Sequence, residues 1–477
     1  MLTRQPKLLL FSHVSNSGSI TGAEKLLLLF CRHMAPYYEC IMVAPQEGKL
    51  TTHARAQGTS VRIQHFPLMH TMYEPDQDLA QKVFDLHLHP EYQTVVQLIK
   101  DCSPDVVMTN TVVNILPAMA AKSLNIPVVW KITEVMRETP YTPVAIQLID
   151  QYSDWVIAIS RAAGSMLEGH ILSPISYLSP SADHTKFYPS SSLVRRKERR
   201  RLSLKDREYC IGYISAFIHP EKGLREFVSM ALSLCAAHPM CRFLIIGRPA
   251  DLAYYDSCMT EVKQSPYKRR FQWIPYVESV QKVYSAMDIL VVPSMVAEGF
   301  GMTALEGMLC GTPVVAYSNG GLGEMMEQTG NGHLVATPGD FLMLAAKVSE
   351  VLHNPAALTA SGEHNARAAR DLYGIEAYIT KLHHLVGQWQ LHNPSWFQAE
   401  LGDVPQPNTS DSSKVANDRS PRRKRTSRKK FRFIKHAKKL PARRAKRKSS
   451  RSTATTKSRH KRKIGKVRSS SKYRKHG

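Results

Sequence analysis

The amino-acid sequence predicts an α/β protein made of two doubly wound, parallel-sheet domains. Short apolar runs alternate with longer amphipathic ones, the pattern of parallel strands joined by crossover helices. A charged stretch at 194–208 breaks that rhythm once and reads as an interdomain connection, after which the rhythm restarts. The length of 477 residues is more than one hydrophobic core accommodates.

The first domain is expected over 1–195. The apolar run Lys7–His13 reads as its first strand rather than a signal peptide, because it is too short for one and lacks a small-residue cleavage site. A helix follows over Ala23–Met34, then a strand at Cys40–Ala44, a short helix at Leu50–Gln57 and a strand at Val61–His65. Helical spacing of apolar residues predicts one long helix over Asp78–Lys100. Strands at Asp105–Thr109, Val128–Ile132 and Trp155–Ile159 then alternate with helices at Val113–Leu124, Thr142–Gln151 and Arg161–Leu167.

The second domain is expected over 205–370. Its strands are predicted at Tyr209–Ile214, Arg242–Ile246, Phe271–Trp273, Ile289–Val292, Pro313–Ala316 and His333–Val335. Helices at Leu224–Ala237, Tyr255–Gln264, Val277–Ala286, Thr303–Cys310, Leu322–Glu327 and Phe341–Leu352 connect them. Asn365–Leu372 reads as a further helix. A terminal helix within 371–390 is expected to pack back toward the first domain. Residues 391–420, rich in Pro, Asn, Ser and Asp, read as a flexible linker.

Charge divides the chain sharply. Residues 421–477 hold 27 Lys or Arg and no Asp or Glu, leaving 37 basic against 39 acidic side chains in the rest. Such a composition cannot build a core, so a disordered basic tail is expected. It suits a non-specific contact with a polyanionic surface: membrane, wall or spore polymer, or nucleic acid. With only Phe431, Phe433 and Tyr473 as aromatics, base-specific reading is poorly served. No run of apolar residues reaches membrane-spanning length. The eight cysteines form no CxxC pair and sit mostly in apolar runs, which reads as buried thiols in a reducing cytoplasm.

The best-defined candidate site is Glu298-Gly299-Phe300-Gly301-Met302-Thr303-Ala304-Leu305-Glu306. It follows the strand DILVVPS, so Glu298 falls in a strand-end loop and Glu306 about one turn into the next helix. The glycines let a ligand approach the backbone, and the helix start offers N–H groups to anionic oxygens, with Thr303 as a candidate cap. A glycine loop, Asn319-Gly320-Gly321, precedes the next helix and could form an anion-binding nest.

This ExGFGxxxxE segment resembles the hallmark of the retaining glycosyltransferases of family 4, among the glycosyl transferases group 1, which have the two-domain GT-B fold. The resemblance covers roughly residues 7–390 and is most specific in the second half. It implies two Rossmann-like domains facing a cleft, a nucleotide sugar as donor, and a glycan or lipid-linked hydroxyl as acceptor. It places Glu298 near the donor sugar and Glu306 on the ribose hydroxyls. Lys222 in AFIHPEKG matches a lysine that grips the pyrophosphate, while Phe217 stands where the family has an arginine. Arg248 or Arg225 could stand in for that arginine. Glu324 would lie beside the donor phosphates or simply cap its helix.

In the first domain, Gly22 matches the second glycine of a loop that faces the transferred sugar, or serves only close packing. Asn110 occupies the place of a family histidine, and Glu134 could bind an acceptor hydroxyl or cap a helix. Ser160 matches a strand-end serine. The resemblance implies no cofactor and no bound metal. It also implies a cytoplasmic enzyme of the bacterial cell envelope, at the inner membrane face or on a spore surface. The alternative is a polyanion-binding protein whose GT-B body is catalytically degenerate, for which Phe217 speaks.

Overall fold

The computed structural model describes residues 4–397 apart from Ser19 and His184; the expected basic tail and most of the expected linker lie outside the described residues. Two parallel sheets form the body. The first runs β3-β2-β1-β4-β5-β6-β7, with β1 Lys7–Phe11, β2 Glu39–Ala44, β3 Ser60–Ile63, β4 Val106–Asn110, β5 Val128–Ile132, β6 Trp155–Ala158 and β7 Ile175–Tyr177. The second runs β10-β9-β8-β11-β12-β13, with β8 Tyr209–Ile218, β9 Cys241–Pro249, β10 Phe271–Ile274, β11 Ile289–Val292, β12 Val314–Tyr317 and β13 Val335–Ala336. In each sheet the chain reverses its direction of winding at the central strand, β1 or β8, and there the strand-end loops diverge and open a crevice.

Both faces of the sheets are covered, which is why their strands are continuous apolar runs. On one face of the first sheet, helix Gly22–Met34 and helix Ile375–His392 enclose Leu8, Leu10, Phe30, Met42, Leu382 and Trp389. The C-terminal helix of the body thus buries its apolar side on the first domain. All eight cysteines are buried free thiols.

Several expectations are corrected. The long helix over Asp78–Lys100 is three pieces, Leu79–Asp85, a 3-10 turn at Leu86–Leu88 and Pro90–Cys102, because Pro90 cannot continue a helix but suits the first position of one. The polar stretch at 194–208 is largely a helix, Ser192–Arg201, and it belongs to the second domain rather than linking the two. Arg195 and Arg199 hold Asp288 from both sides at 2.5 and 2.9 Å, and Asp288 also accepts the Cys210 N–H at 2.7 Å. Charge in that stretch is therefore packing chemistry, not linker chemistry. The helix predicted from Asn365 begins at Pro355 and ends at Tyr373. The start of the expected linker is also folded: a 3-10 turn at Pro394–Phe397 buries Trp396 against Trp389.

Candidate active site

A cavity of about 380 Å³ lies between the carboxyl ends of the two sheets and is lined from both domains. The second domain contributes Phe217, His219, Lys222, Ser294, Glu298, Gly299, Gly301 and Thr303; the first contributes Thr21, Gly22, Thr133, Glu134 and Ile159.

Lys222 closes a 3-10 turn, Pro220–Lys222, just after β8. The next residue, Gly223, has φ +68°, and a β-carbon there would lie 1.8 Å from the Pro293 carbonyl oxygen, so only glycine lets the turn dock on the strand below. That docking brings Lys222 Nζ within 2.7 Å of Glu298 Oε1. Ser294, buried at the end of β11, donates its hydroxyl to the same oxygen at 2.5 Å. Glu298 is thus held at the cavity wall by a cation and a hydroxyl that share one carboxylate oxygen. Its backbone bridges Gly320, and its carbonyl accepts the Gly321 N–H at 2.7 Å, which fixes the two loops together. Asn319 ties in by donating to the Ser294 carbonyl at 3.2 Å.

Glu306 lies in helix Met302–Leu309 and is buried, with Oε2 accepting the Tyr284 hydroxyl at 3.1 Å and Oε1 3.3 Å from Lys25 Nζ of the first domain. Burial and this carboxylate together push the Tyr284 hydroxyl well above its ordinary range, so it remains a donor. The helix is capped by the backbone of Gly301 and not by Thr303.

The domains meet at further points around the cavity. Ser160 Oγ accepts the Ala163 N–H at 3.0 Å, capping helix Arg161–Gly164, and donates to the Gly299 carbonyl at 2.6 Å. Glu324 Oε2 accepts the Ala162 N–H at 3.2 Å, and Arg137 pairs with Glu221. Gly22 sits opposite Met302, to which a β-carbon would come within 3.8 Å.

Residues 194–369 match the profile of the family described as Glycosyl transferases group 1. That match takes in most of the second domain. A 2-deoxystreptamine glucosyltransferase of Streptomyces kanamyceticus is 31% identical over 179 residues, 37% of this chain and 43% of that protein. A D-inositol 3-phosphate glycosyltransferase of Rhodococcus jostii is 29% identical over 265 residues, 50% of this chain and 56% of that one. The chain spans about half the length of these curated relatives. Among solved structures, HepE of Anabaena in complex with UDP-glucose superposes with a TM-score of 0.66 at 21% identity, over 80% of this chain and 99% of that one. Sucrose-phosphate synthase of Thermosynechococcus elongatus gives 0.62 at 18% identity, over 81% and 100%. The fold is GT-B, two Rossmann-like domains about a cleft.

Several of the sequence candidates, Glu306, Ser160, Asn319, Gly320, Gly321 and Glu324 among them, do not line the cavity. Asn110 does not reach it: at the end of β4 it is fully buried, accepting from Lys131 Nζ at 3.4 Å. Burial lowers that lysine to about 8. Arg248 is paired in register with Phe217 on the neighbouring strand, but its guanidinium lies 5.1 Å from the Tyr276 ring centre, outside the cavity lining. Arg225 likewise turns to Ser257 and Tyr254. Phe300 lines the cavity, yet its ring is buried edge-on against Tyr373 at 5.1 Å, a packing contact. Glu134 caps no helix. It lines the cavity, accepts from Val112 N–H at 3.0 Å and Thr133 Oγ1 at 2.7 Å, and burial raises it above the usual carboxylate range.

Sequence reasoning missed Ser294, Tyr284, Lys25 and the Ala162 N–H. Ser294 is the last residue of DILVVPS and could have been read as a strand-end polar group; the others look like ordinary helix residues until the domains are brought together. Among the described residues no three His, Cys, Asp or Glu side chains gather as a metal site, and no helix is long and apolar enough to cross a membrane.

Proposed function

We propose that the protein is a retaining glycosyltransferase that moves a sugar from a nucleotide-sugar donor to a hydroxyl of a glycan or lipid-linked acceptor. The observation that carries this reading is the pairing of Lys222 with Glu298 on the wall of a cavity lined from both domains, with Glu306 one turn further along the helix that follows, in a chain whose residues 194–369 match the group 1 model. The relatives are named glycosyltransferases, and HepE was crystallised with UDP-glucose, which supports a nucleoside-diphosphate sugar as donor.

In this reading Glu306 accepts the ribose hydroxyls, and Lys222 with the loop Asn319–Gly321 faces the diphosphate. As the bond between the anomeric carbon and the phosphate oxygen breaks, negative charge grows on that oxygen, and a cation already in place stabilises it without reorganisation. The acceptor oxygen bonds to the same face of the anomeric carbon, and its proton passes to the departing phosphate. Glu298, held by Lys222 and Ser294, orients the sugar and opposes the positive charge on the ring. Glu134 faces the acceptor side. Closure of the domains keeps water from the donor. We propose that no bound metal or other cofactor takes part.

Residues 421–477 would hold the enzyme on an anionic polymer or membrane surface by charge alone. Work at the inner face of a bacterial envelope or on a spore surface fits that tether. The catalytically degenerate alternative has Phe217 in its favour but not the engaged carboxylate pair.

The test is thermal shift and nucleoside-diphosphate release with the full chain against UDP-, GDP-, ADP- and TDP-sugars, beside a Glu306→Ala variant. Stabilisation by one donor class, lost in the variant, is expected. No stabilisation by any of them would defeat the reading.

A further inference from the structure

The carboxylate assigned to the donor ribose is already occupied by a side chain of the opposite domain. Lys25 stands one turn into helix Gly22–Met34, whose start is locked by a reciprocal cap: Thr21 N–H donates to Glu24 Oε2 at 2.7 Å, and Glu24 N–H donates to Thr21 Oγ1 at 3.3 Å. The rigid first turn carries Lys25 Nζ to 3.3 Å from Glu306 Oε1. Tyr284, from the second domain itself, donates to Oε2. Both oxygens of Glu306 therefore have a donor, and its side chain is only 9% exposed. A ribose diol binds a carboxylate by donating its two hydroxyls to these same oxygens. Lys25 and the ribose cannot both have Oε1 in this geometry.

We propose that Lys25 is a positioning residue that occupies the ribose site of the empty enzyme and yields Glu306 to the incoming nucleotide. The inference rests on the reading of Glu306 given above. Two features suit the exchange. The lysine side chain is 47% exposed, so its pairing is screened by water and weak enough to be displaced. Lys25 also comes from the first domain, so its release at the ribose removes one of the contacts that hold the cleft closed, and nucleotide entry is coupled to movement between domains.

Isothermal titration of the full chain with UDP, GDP and ADP tests this, using wild type, Lys25→Met and Lys25→Arg. If Lys25 competes, methionine leaves the site permanently competent, and the nucleotide that binds wild type should bind Lys25→Met about three- to ten-fold tighter. Arginine, which restores the cation, should return the affinity toward wild type. A merely structural lysine would move the melting temperature and leave the affinity, or weaken it. Binding by wild type with unchanged or weaker binding by Lys25→Met overturns this inference alone. Absence of binding by both proteins overturns the ribose reading of Glu306 and the competition together.

Discussion

Gly299 of the second domain lies so close to Thr133 of the first that a β-carbon on it would sit 2.0 Å from the Thr133 carbonyl oxygen. Neither partner can easily withdraw. Thr133 directly follows β5, and the Gly299 carbonyl is held by Ser160 Oγ at 2.6 Å. The glycine is therefore an interdomain spacer as well as a part of the cavity wall. Gly299→Ala should hold the cleft open while both domains remain folded. We expect a larger radius of gyration by small-angle scattering and a loss of transfer rate of about 100-fold, because reacting groups displaced by an ångström lose their alignment. An unchanged scattering profile with full activity would refute the spacer role.

Removing the charge of Glu298 tests its place in the chemistry. Glu298→Gln keeps the shape and a partner for Ser294 but withdraws the carboxylate from the developing positive centre. The rate constant for transfer should fall by about 100- to 1,000-fold, the range typical of a lost electrostatic stabiliser. Lys222→Met should weaken nucleoside-diphosphate binding as well as the rate, and it should do so less at high salt. Ser294→Ala removes one neutral donor and should cost about ten-fold or less. Activity should survive a chelator such as EDTA in all of these proteins.

Lys131 gives a prediction for pH. It is 2% exposed, and burial holds its ammonium at about 8 against 10.5 in an unfolded chain. Between those values the unfolded chain carries a proton that the fold does not, so this group makes the fold more stable as pH rises from 8 to 10.5 and imposes a constant penalty below 8. The shift corresponds to roughly 3 kcal/mol at most. Lys131→Met should gain about 1–3 kcal/mol at pH 7, and the gain should shrink toward pH 10.5. Denaturant melts of both proteins across pH 7–10.5 measure it; a destabilised variant at pH 7 would mean that the contact with Asn110 outweighs desolvation.

Arg199→Ala should be strongly destabilising. The guanidinium is buried and serves Asp288, the Ala286 carbonyl at 3.0 Å and the Lys205 carbonyl at 3.1 Å, besides Glu208. Its loss leaves Asp288 with Arg195 as its one charged partner beside the Cys210 N–H, and breaking a buried pair by removing one partner costs about 3–5 kcal/mol. Urea midpoints would show it. A change under 1 kcal/mol would mean that helix Ser192–Arg201 is not part of the second domain's fold.

How much of this was legible beforehand depended on range. Alternation of apolar runs was enough for both parallel sheets, because a strand buried on both faces must be apolar throughout and a covering helix must be amphipathic. The ExGFGxxxxE spacing was enough to single out Glu298 and Glu306, because strand, loop and helix are contiguous there. Helix Ser192–Arg201 escaped the reading because its arginines look solvated until Asp288 arrives from 90 residues away. Strand β7 was missed because three residues with no apolar run carry too little signal.

What the sequence determined by itself was the local chemistry: which segments form strands and helices, where Glu298, Glu306 and Lys222 fall along them, and how the charge divides between body and tail. Tertiary structure alone decided which of those groups share a site. Lys25 meets Glu306, Ser160 meets Gly299, and Asn110 and Arg248 turn away, because such contacts depend on how two domains dock. Docking is set by the summed shape of both surfaces, and no short stretch of chain encodes it.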